Sequence, residues 1–355
     1  MKSLFFGIFC AATLIAAFWP FQTNAGAEEA SVLSIEDMAR KKLHHAPDKT
    51  FVNPWLNGET RGFWDLFKWQ FASKNPYKEE KKIPVKFNVV KPDFAALEKT
   101  GADYAVWLGH STVLIKANGV RMLTDPVFGD VNFLLKRKTP FPIKPTELPK
   151  IDFVLIFHSH YEHMNSDSIA LLKGLFDPYF VTGPGYEQWF KDIGTKKHIA
   201  LDWWESYDAG GVKITSLPAQ HWSKRTFFDT NTMLWCSFMI EHNGRKYFWA
   251  GDTGYFRGFK EFGEKFGPID AAFLPVGSYE PRWFMSLMHI NPEEAVLAAK
   301  DLRARTLIPI HWGTFDLTDE PLTLPIKRLR EIHSGASNPR LLILEHGGSA
   351  ELGRE

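Results

Sequence analysis

The stretch Ile151–Phe157 is apolar at every position except Asp152, and it runs directly into His158-Ser159-His160-Tyr161-Glu162-His163. A short apolar run rich in branched and aromatic side chains reads as a strand buried on both faces. Three imidazoles and a carboxylate therefore stand at the carboxyl end of a strand inside the protein. Two residues apart in extended backbone, His158 and His160 project to the same side. Glu162 and His163 follow on a turn and can address a second centre nearby. Neutral imidazoles with a carboxylate suit Zn²⁺ and related divalent ions. With 13 His in 355 residues, a specified His-x-His-x-x-His arises by chance only about 0.02 times. The competing reading, a polar loop with scattered histidines, needs that coincidence.

Further donors follow other apolar runs. His221 lies in Pro218-Ala219-Gln220-His221-Trp222, Asp252 follows Lys246–Ala250, and His311 follows Leu307–Ile310. Singly, each could be a satisfied core histidine or a turn aspartate. Together they matter, because a sheet can gather residues beyond its strand ends along one edge. His110, in Gly109-His110-Ser111, and Asp125, before Pro126, are candidates to orient ligating histidines. For Asp125 an ordinary turn role stays open. His44, His45, His198, His242, His333 and His346 show no ligand pattern and read as surface or core residues.

The rest of the chain supplies the frame. Tyr104–Leu108, Thr112–Lys116 and Val120–Thr124 are β-rich, and Asn118-Gly119 is a strong hairpin turn. Ser237–Glu241 and Lys246–Ala250 repeat the device around Asn243-Gly244. Ala271–Val276, Leu307–Ile310 and Leu341–Leu344 read as further buried strands. Helices are expected over Ser166–Phe176, Gly185–Ile193, Pro292–Arg303 and Pro325–His333; Pro292-Glu293-Glu294 suits a helix first turn. This mixture fits an α/β fold of two mixed, mainly antiparallel sheets with outer helices better than a doubly wound parallel sheet.

Met1-Lys2-Ser3 opens on a cation, Leu4 to Trp19 is apolar, and Ala25-Gly26-Ala27 is a small-x-small site. Residues 1–27 thus have the layout of a secretory signal peptide, which implies a secreted or periplasmic protein. An uncleaved membrane anchor is the alternative, for which the run is short. Without residues 1–27, the 42 Lys and Arg less Lys2 balance the 41 Asp and Glu, which gives no electrostatic footing for nucleic acid. Only Cys236 then remains, so no internal disulfide can form, and its apolar surroundings indicate an inert buried thiol. Residues 28–100 read as an arm on a main domain of residues 101–355. Within the arm Phe63, Trp64, Phe67 and Phe71 fall at helical spacing. That face either packs on the domain or touches lipid; Trp, Tyr and Phe together make 15% of the chain.

From about Asn53 to Gly347 the sequence resembles the metallo-β-lactamase superfamily, and within it the N-acyl phosphatidylethanolamine-hydrolysing phospholipase D branch. The motifs are Trp107–Thr112, Leu123–Phe128, His158–His163, Pro218–Trp222, Ala250–Tyr255, Tyr279–Phe284, His289 with Pro292–Ala295, and Ile310–Phe315. The resemblance implies an αββα sandwich with two Zn²⁺ ions. By motif position His158, His160 and His221 would hold one ion, Glu162, His163 and His311 the other, and Asp252 would bridge them. Tyr161 and His289 match positions that meet the lipid phosphate. The family pattern has Asp at the place of Glu162. An extra methylene moves the carboxylate by about a bond length, where metal–ligand distances tolerate only a few tenths of an ångström. Either the loop adjusts, or the second site binds weakly or prefers another metal. The expectation is that both ions bind, the Glu162 site being the looser.

The implied activity is that of a phosphodiesterase acting on a phospholipid or similar amphiphile, through a zinc-activated hydroxide. Glu162 or Asp252 would take the proton from water, and His289 would stabilise the phosphate oxyanion. Arg282 is a phosphate partner or a structural ion pair. Trp222, Trp283 and Phe284 would wall the apolar side or sit in the core. Peripheral membrane contact is a further expectation. A lactonase or carboxylic ester hydrolase on the same fold is the alternative chemistry, and a non-catalytic envelope protein the alternative class.

Overall fold

Two Asn-Gly pairs shape the two halves of the chain. In the computed structural model, which describes residues 33–353 apart from 57 and 336, Asn118 and Gly119 have φ of 49° and 80°, and Asn243 and Gly244 have 45° and 77°. Such paired positive φ values are what a tight two-residue hairpin requires, and Asn-Gly supplies them at least cost. The expected leader at 1–27 lies outside the described residues.

The first sheet begins with β1 (Tyr104–Gly109), β2 (Thr112–Ala117) and β3 (Val120–Thr124), and continues through β4 (Phe153–Leu155), β5 (Tyr179–Thr182) and β6 (His198–Ala200). The second runs β7 (Ser206–Asp208), β8 (Lys213–Leu217), β9 (Ser237–His242), β10 (Arg245–Trp249), β11 (Ile269–Pro275), β12 (Ala304–Ile310) and β13 (Arg340–Leu341). Finally β14 (Ser349–Glu351) returns to the first sheet beside β1. Among the described residues each sheet has seven strands. The sheets are mixed as expected, but the balance is even rather than mainly antiparallel. In each, among the described residues, three antiparallel pairings are followed by three parallel ones.

Strand periodicity sorts the core. In β1, Ala105 and Trp107 enter the large cluster between the sheets, while Tyr104, Val106 and Leu108 enter a second cluster under the outer helices. Phe153, Leu155 and Phe157 go to the first cluster and Val154 and Ile156 to the second. The run 151–157 is continuously apolar because both faces of its strand are covered. Over the outer face lies the helix Ser166–Phe176, started by Asn165, whose side chain accepts the Ser168 amide. The helix Pro292–Asp301 opens on the expected proline, with Asn291 and Glu294 capping each other's backbone.

The arm meets the domain by a face other than the aromatic one. A helix forms over Phe63–Phe67 and widens into a π-helical turn at Lys68–Ala72. Its inward side chains are Leu66 and Trp69, which pack with Met285 and Phe284. The four rings, for which packing and lipid contact were both open, point outward, with Phe63 40%, Trp64 76%, Phe67 45% and Phe71 55% exposed. Leu66 and Trp69, three residues apart, meet the domain on one side of the turn, and the exposed aromatic rings pack on one another, Phe63 on Trp64 and Phe67 on Phe71. No helix among the described residues is long and apolar enough to cross a membrane.

Candidate metal centre

Strand direction explains why distant donors meet. β1, β3 and β4 run the same way in the first sheet, and β8, β10 and β12 run the same way in the second. Beyond the carboxyl ends of the first three lie His110, Asp125 and His158–His163; beyond the other three lie His221, Asp252 and His311. Stacking the sheets brings these edges together. Close approach shapes the local sequence. Gly251, just before Asp252, has φ of 63°, and a Cβ there would lie 2.1 Å from a ring carbon of Phe157, so only glycine fits. His110, Asp125 and His311 themselves have φ of 53°, 33° and 62°, the sparsely populated backbone that folds tolerate where a site is built.

The donors form overlapping groups whose ligand atoms lie within 4.8 Å of one another: His158, His160 and His221; His158, His163 and Asp252; His110, His163 and His311; and His221, Asp252 and His289. His158 Nε2 is 2.6 Å from His160 Nδ1. Asp252 Oδ2 lies 3.1 Å from His163 Nε2 and its Oδ1 3.1 Å from His311 Nε2, close without a hydrogen bond at Oδ1 or at either nitrogen. His163 Nδ1 lies 2.6 Å from Asp125 Oδ2, whose other oxygen accepts the Phe157 amide at 2.9 Å. Of the two roles left open for it, Asp125 takes that of orienting His163. His221 Nδ1 donates to the Met288 carbonyl at 3.0 Å, which turns Nε2 inward.

The chemistry of the set fits divalent metal. Buried and without a hydrogen-bond partner are ring nitrogens of His110, His158, His160, His163, His221, His289 and His311, together with Asp252 Oδ1. Buried polar atoms are almost always satisfied, so this many orphans in one place fit the ligand shell of a divalent cation. Burial, with the neighbouring imidazoles, holds His158 and His221 well below the usual histidine range. Burial likewise takes His160 down to about 4 and His289 to about 3. Neutral rings are the ligand form. Asp252 is pushed up by burial, but His163 and His311 outweigh this and hold it well below the carboxylate range. His163 is lowered by burial, yet Asp252 and Asp125 carry it well above its ordinary value.

Of the seven expected metal donors, six converge. Glu162 does not: it is half-buried and belongs to none of the donor groups found among the described residues. His289 does approach, its Nδ1 3.9 Å from Asp252 Oδ2 and its ring 5.2 Å from that of His221. Tyr161 lies at the surface, its hydroxyl donating to the Arg225 carbonyl at 2.8 Å. Arg282 takes its structural alternative, pairing with Glu294 at 2.8 Å and donating to the His289 carbonyl at 2.8 Å. Trp222 walls the site, its ring 4.6 Å from His160. Phe284 instead packs on Trp69, and Trp283 lies at the surface under Lys68. Sequence reasoning missed Arg225. This buried guanidinium donates to the carbonyls of Ser159 and Met164 and to Ser166 Oγ, and stacks 4.3 Å over Tyr161. No local signal marks it, because its partners lie some sixty positions earlier.

A sandwich of two mixed sheets with histidines and a shared aspartate at its carboxyl edge defines a metal-dependent hydrolase. A family model described as the beta-lactamase superfamily domain matches residues 120–312. The chain belongs to the metallo-β-lactamase superfamily, in its N-acyl phosphatidylethanolamine-hydrolysing phospholipase D-like branch. It is 37% identical to N-acyl-phosphatidylethanolamine-hydrolyzing phospholipase D 1 of Caenorhabditis elegans over 308 residues, covering 80% of this chain and 85% of the relative. To the mitochondrial enzyme of the same name from Saccharomyces cerevisiae it is 38% identical over 239 residues, covering 64% of this chain and 51% of that one. Among solved structures, an isothiocyanate hydrolase from Delia radicum gut bacteria superposes with a TM-score of 0.58 at 17% identity, over 70% of this chain and 100% of that one. A metallo hydrolase from Ignicoccus hospitalis gives 0.57 at 20% identity, over 72% and 100%. At such identities these two speak for the fold alone.

Proposed function

We propose that this chain is a zinc-dependent phosphodiesterase of phospholipase D type that uses two ions to hydrolyse N-acyl phosphatidylethanolamine-like lipids. The observation that carries the two-ion reading is Asp252, whose oxygens each lie 3.1 Å from a histidine of a different sheet. That carboxylate also belongs to groups containing His158 and His221. His158, His160 and His221 would hold one ion, His163 and His311 the other, with Asp252 shared. Ions bound there would lower the pKa of water from about 15.7 towards about 7 and polarise a phosphoryl oxygen. His289, kept neutral by burial, carries an orphaned Nδ1 beside Asp252 and can donate a hydrogen bond to the phosphate as charge develops. Glu162, uncommitted among the donor groups, is the carboxylate available to take the water's proton. Tyr161, on the same turn, would meet the substrate from the exposed side.

The lipid reading draws on the named relatives and on the stripe Phe63, Trp64, Phe67 and Phe71. Exposed rings on a short helix suit the interface of a lipid surface, and Leu66 and Trp69 tie this helix to residues 284 and 285, just before His289. We also infer a secreted or periplasmic location, on the strength of residues 1–27 alone. The test is hydrolysis by the purified protein of N-acyl phosphatidylethanolamine in mixed micelles, beside a lactone, with and without chelator. Release of an N-acylethanolamine that chelation stops and zinc restores is the expected result. Lactone turnover without phosphodiester turnover, or full activity in His160→Ala, would overturn it.

A further inference from the structure

We propose that His110, rather than Glu162, supplies the remaining ligand of the second ion, an inference that rests on the two-ion reading above. The donor group around His163 and His311 has His110 as its third member, with ligand atoms within 4.8 Å. His110 Nε2 is buried and has no hydrogen-bond partner. The ring lies 4.0 Å from that of His311 and 5.1 Å from that of His163, with Phe315 edge-on at 5.0 Å.

The backbone of His110 is held from several directions. Its amide donates to Thr314 Oγ1 at 2.7 Å, and its carbonyl accepts from Trp107 Nε1 at 2.8 Å and from the His311 amide at 2.9 Å. A φ of 53° is kept there in spite of its cost. The tie to the His311 amide couples the two turns, so the rings that would share an ion are positioned together. Such preorganisation is what a ligand site needs.

Glu162 has the opposite circumstances. Its carboxylate joins no donor group, and the turn that carries it cannot easily shift to absorb an extra methylene. Arg225 grips that turn at the Ser159 and Met164 carbonyls, at 2.8 and 2.6 Å. The amides of His163 and Met164 also close onto the His160 carbonyl, at 3.1 and 2.8 Å. A backbone pinned on both sides of residue 162 limits how far the turn can move to bring the longer, half-buried side chain onto an ion. The second ion then has three imidazoles and one carboxylate oxygen as its protein ligands. That set favours zinc or cobalt over manganese or magnesium, which prefer oxygen.

The test is metal content of the full-length protein, loaded with zinc, dialysed and measured by elemental analysis, followed by the absorption spectrum of the cobalt-loaded form. Wild type should carry about two equivalents, His110→Ala should fall to about one, and Glu162→Gln should keep two with an unchanged cobalt spectrum. Loss of an equivalent in Glu162→Gln, whatever His110→Ala does, would overturn the inference, as would two equivalents in His110→Ala. Circular dichroism checks that His110→Ala folds; if it does not, Glu162→Gln decides alone, since retention supports the inference and loss refutes it. Fewer than two equivalents in wild type would instead break the two-ion reading, a failure visible before any variant is made.

Discussion

Two clusters of histidine and aspartate in this molecule have nearly the same composition and opposite characters. At the sheet edge, ring nitrogens and an Asp252 oxygen are buried without partners. In the other cluster, which ties the arm to the segment between β6 and β7, Asp202 is saturated. It takes His44 Nε2 at 2.6 Å, His45 Nε2 at 2.7 Å, Lys42 Nζ at 2.5 Å and the Trp203 amide at 2.7 Å. Donor atoms of His44, His45 and Asp202 do lie within 4.8 Å of one another, but a lysine already provides the cation. The lesson is that residue type and proximity do not identify a metal site; what distinguishes it is the tally of unmet hydrogen bonds. One cluster is built to be completed by something else, while in the other His44 Nδ1 alone is left buried without a partner.

The comparison breaks most readily at the ligands. His160→Ala should lower kcat/KM by on the order of 10³-fold or more, because it removes charge stabilisation in the transition state as well as an ion. Thermal unfolding of the metal-free protein should barely move; a large fall there would show that His160 is structural. Asp202→Asn should do the reverse. Removing a buried carboxylate from two histidines and a lysine should cost about 3 kcal/mol of stability in denaturant unfolding, with metal content unchanged. Metal loss in that variant would erase the distinction between the clusters.

A smaller effect sharpens it. Asp125→Asn keeps the shape of the side chain but weakens the hold on His163 Nδ1, and should reduce divalent-metal affinity about 10–100-fold by competition with a chelator. The smallest concerns the arm. Burial raises Glu98, but Lys116, Tyr104 and Arg121 outweigh it and bring its carboxyl to about 2. A depressed carboxylate stabilises the fold above its unfolded value and loses that contribution as pH falls from about 4.5 towards 2. The pair is partly solvated, so Glu98→Gln should remove about 1 kcal/mol at pH 7 and nothing near pH 2. Equal destabilisation at both pH values would show that packing, not charge, ties the arm there.

Much of this was legible in the chain because it depends on local rules. The Asn-Gly hairpins formed where turn chemistry demanded them. The run 151–157 carries the regular strand only over Phe153–Leu155, yet all its apolar residues are buried as expected. Which way the aromatic face of the arm helix turns was open, since periodicity locates a stripe without saying which side of a short helix meets the domain. Whether Arg282 faced phosphate or Glu294 was likewise open, for both are compatible with the same spacing.

Residue order alone determined the donors and their places: imidazoles and carboxylates beyond apolar runs, in a pattern too dense for chance. Only the tertiary structure decided which atoms share a point in space. The reason is geometric. Spacing fixes where a side chain leaves its own strand, but convergence across two stacked sheets depends on strand direction and on what pins each turn. That is how His110, far from both in sequence, comes to stand beside His163 and His311, while Glu162, the immediate neighbour of His163, joins none of the donor groups among the described residues.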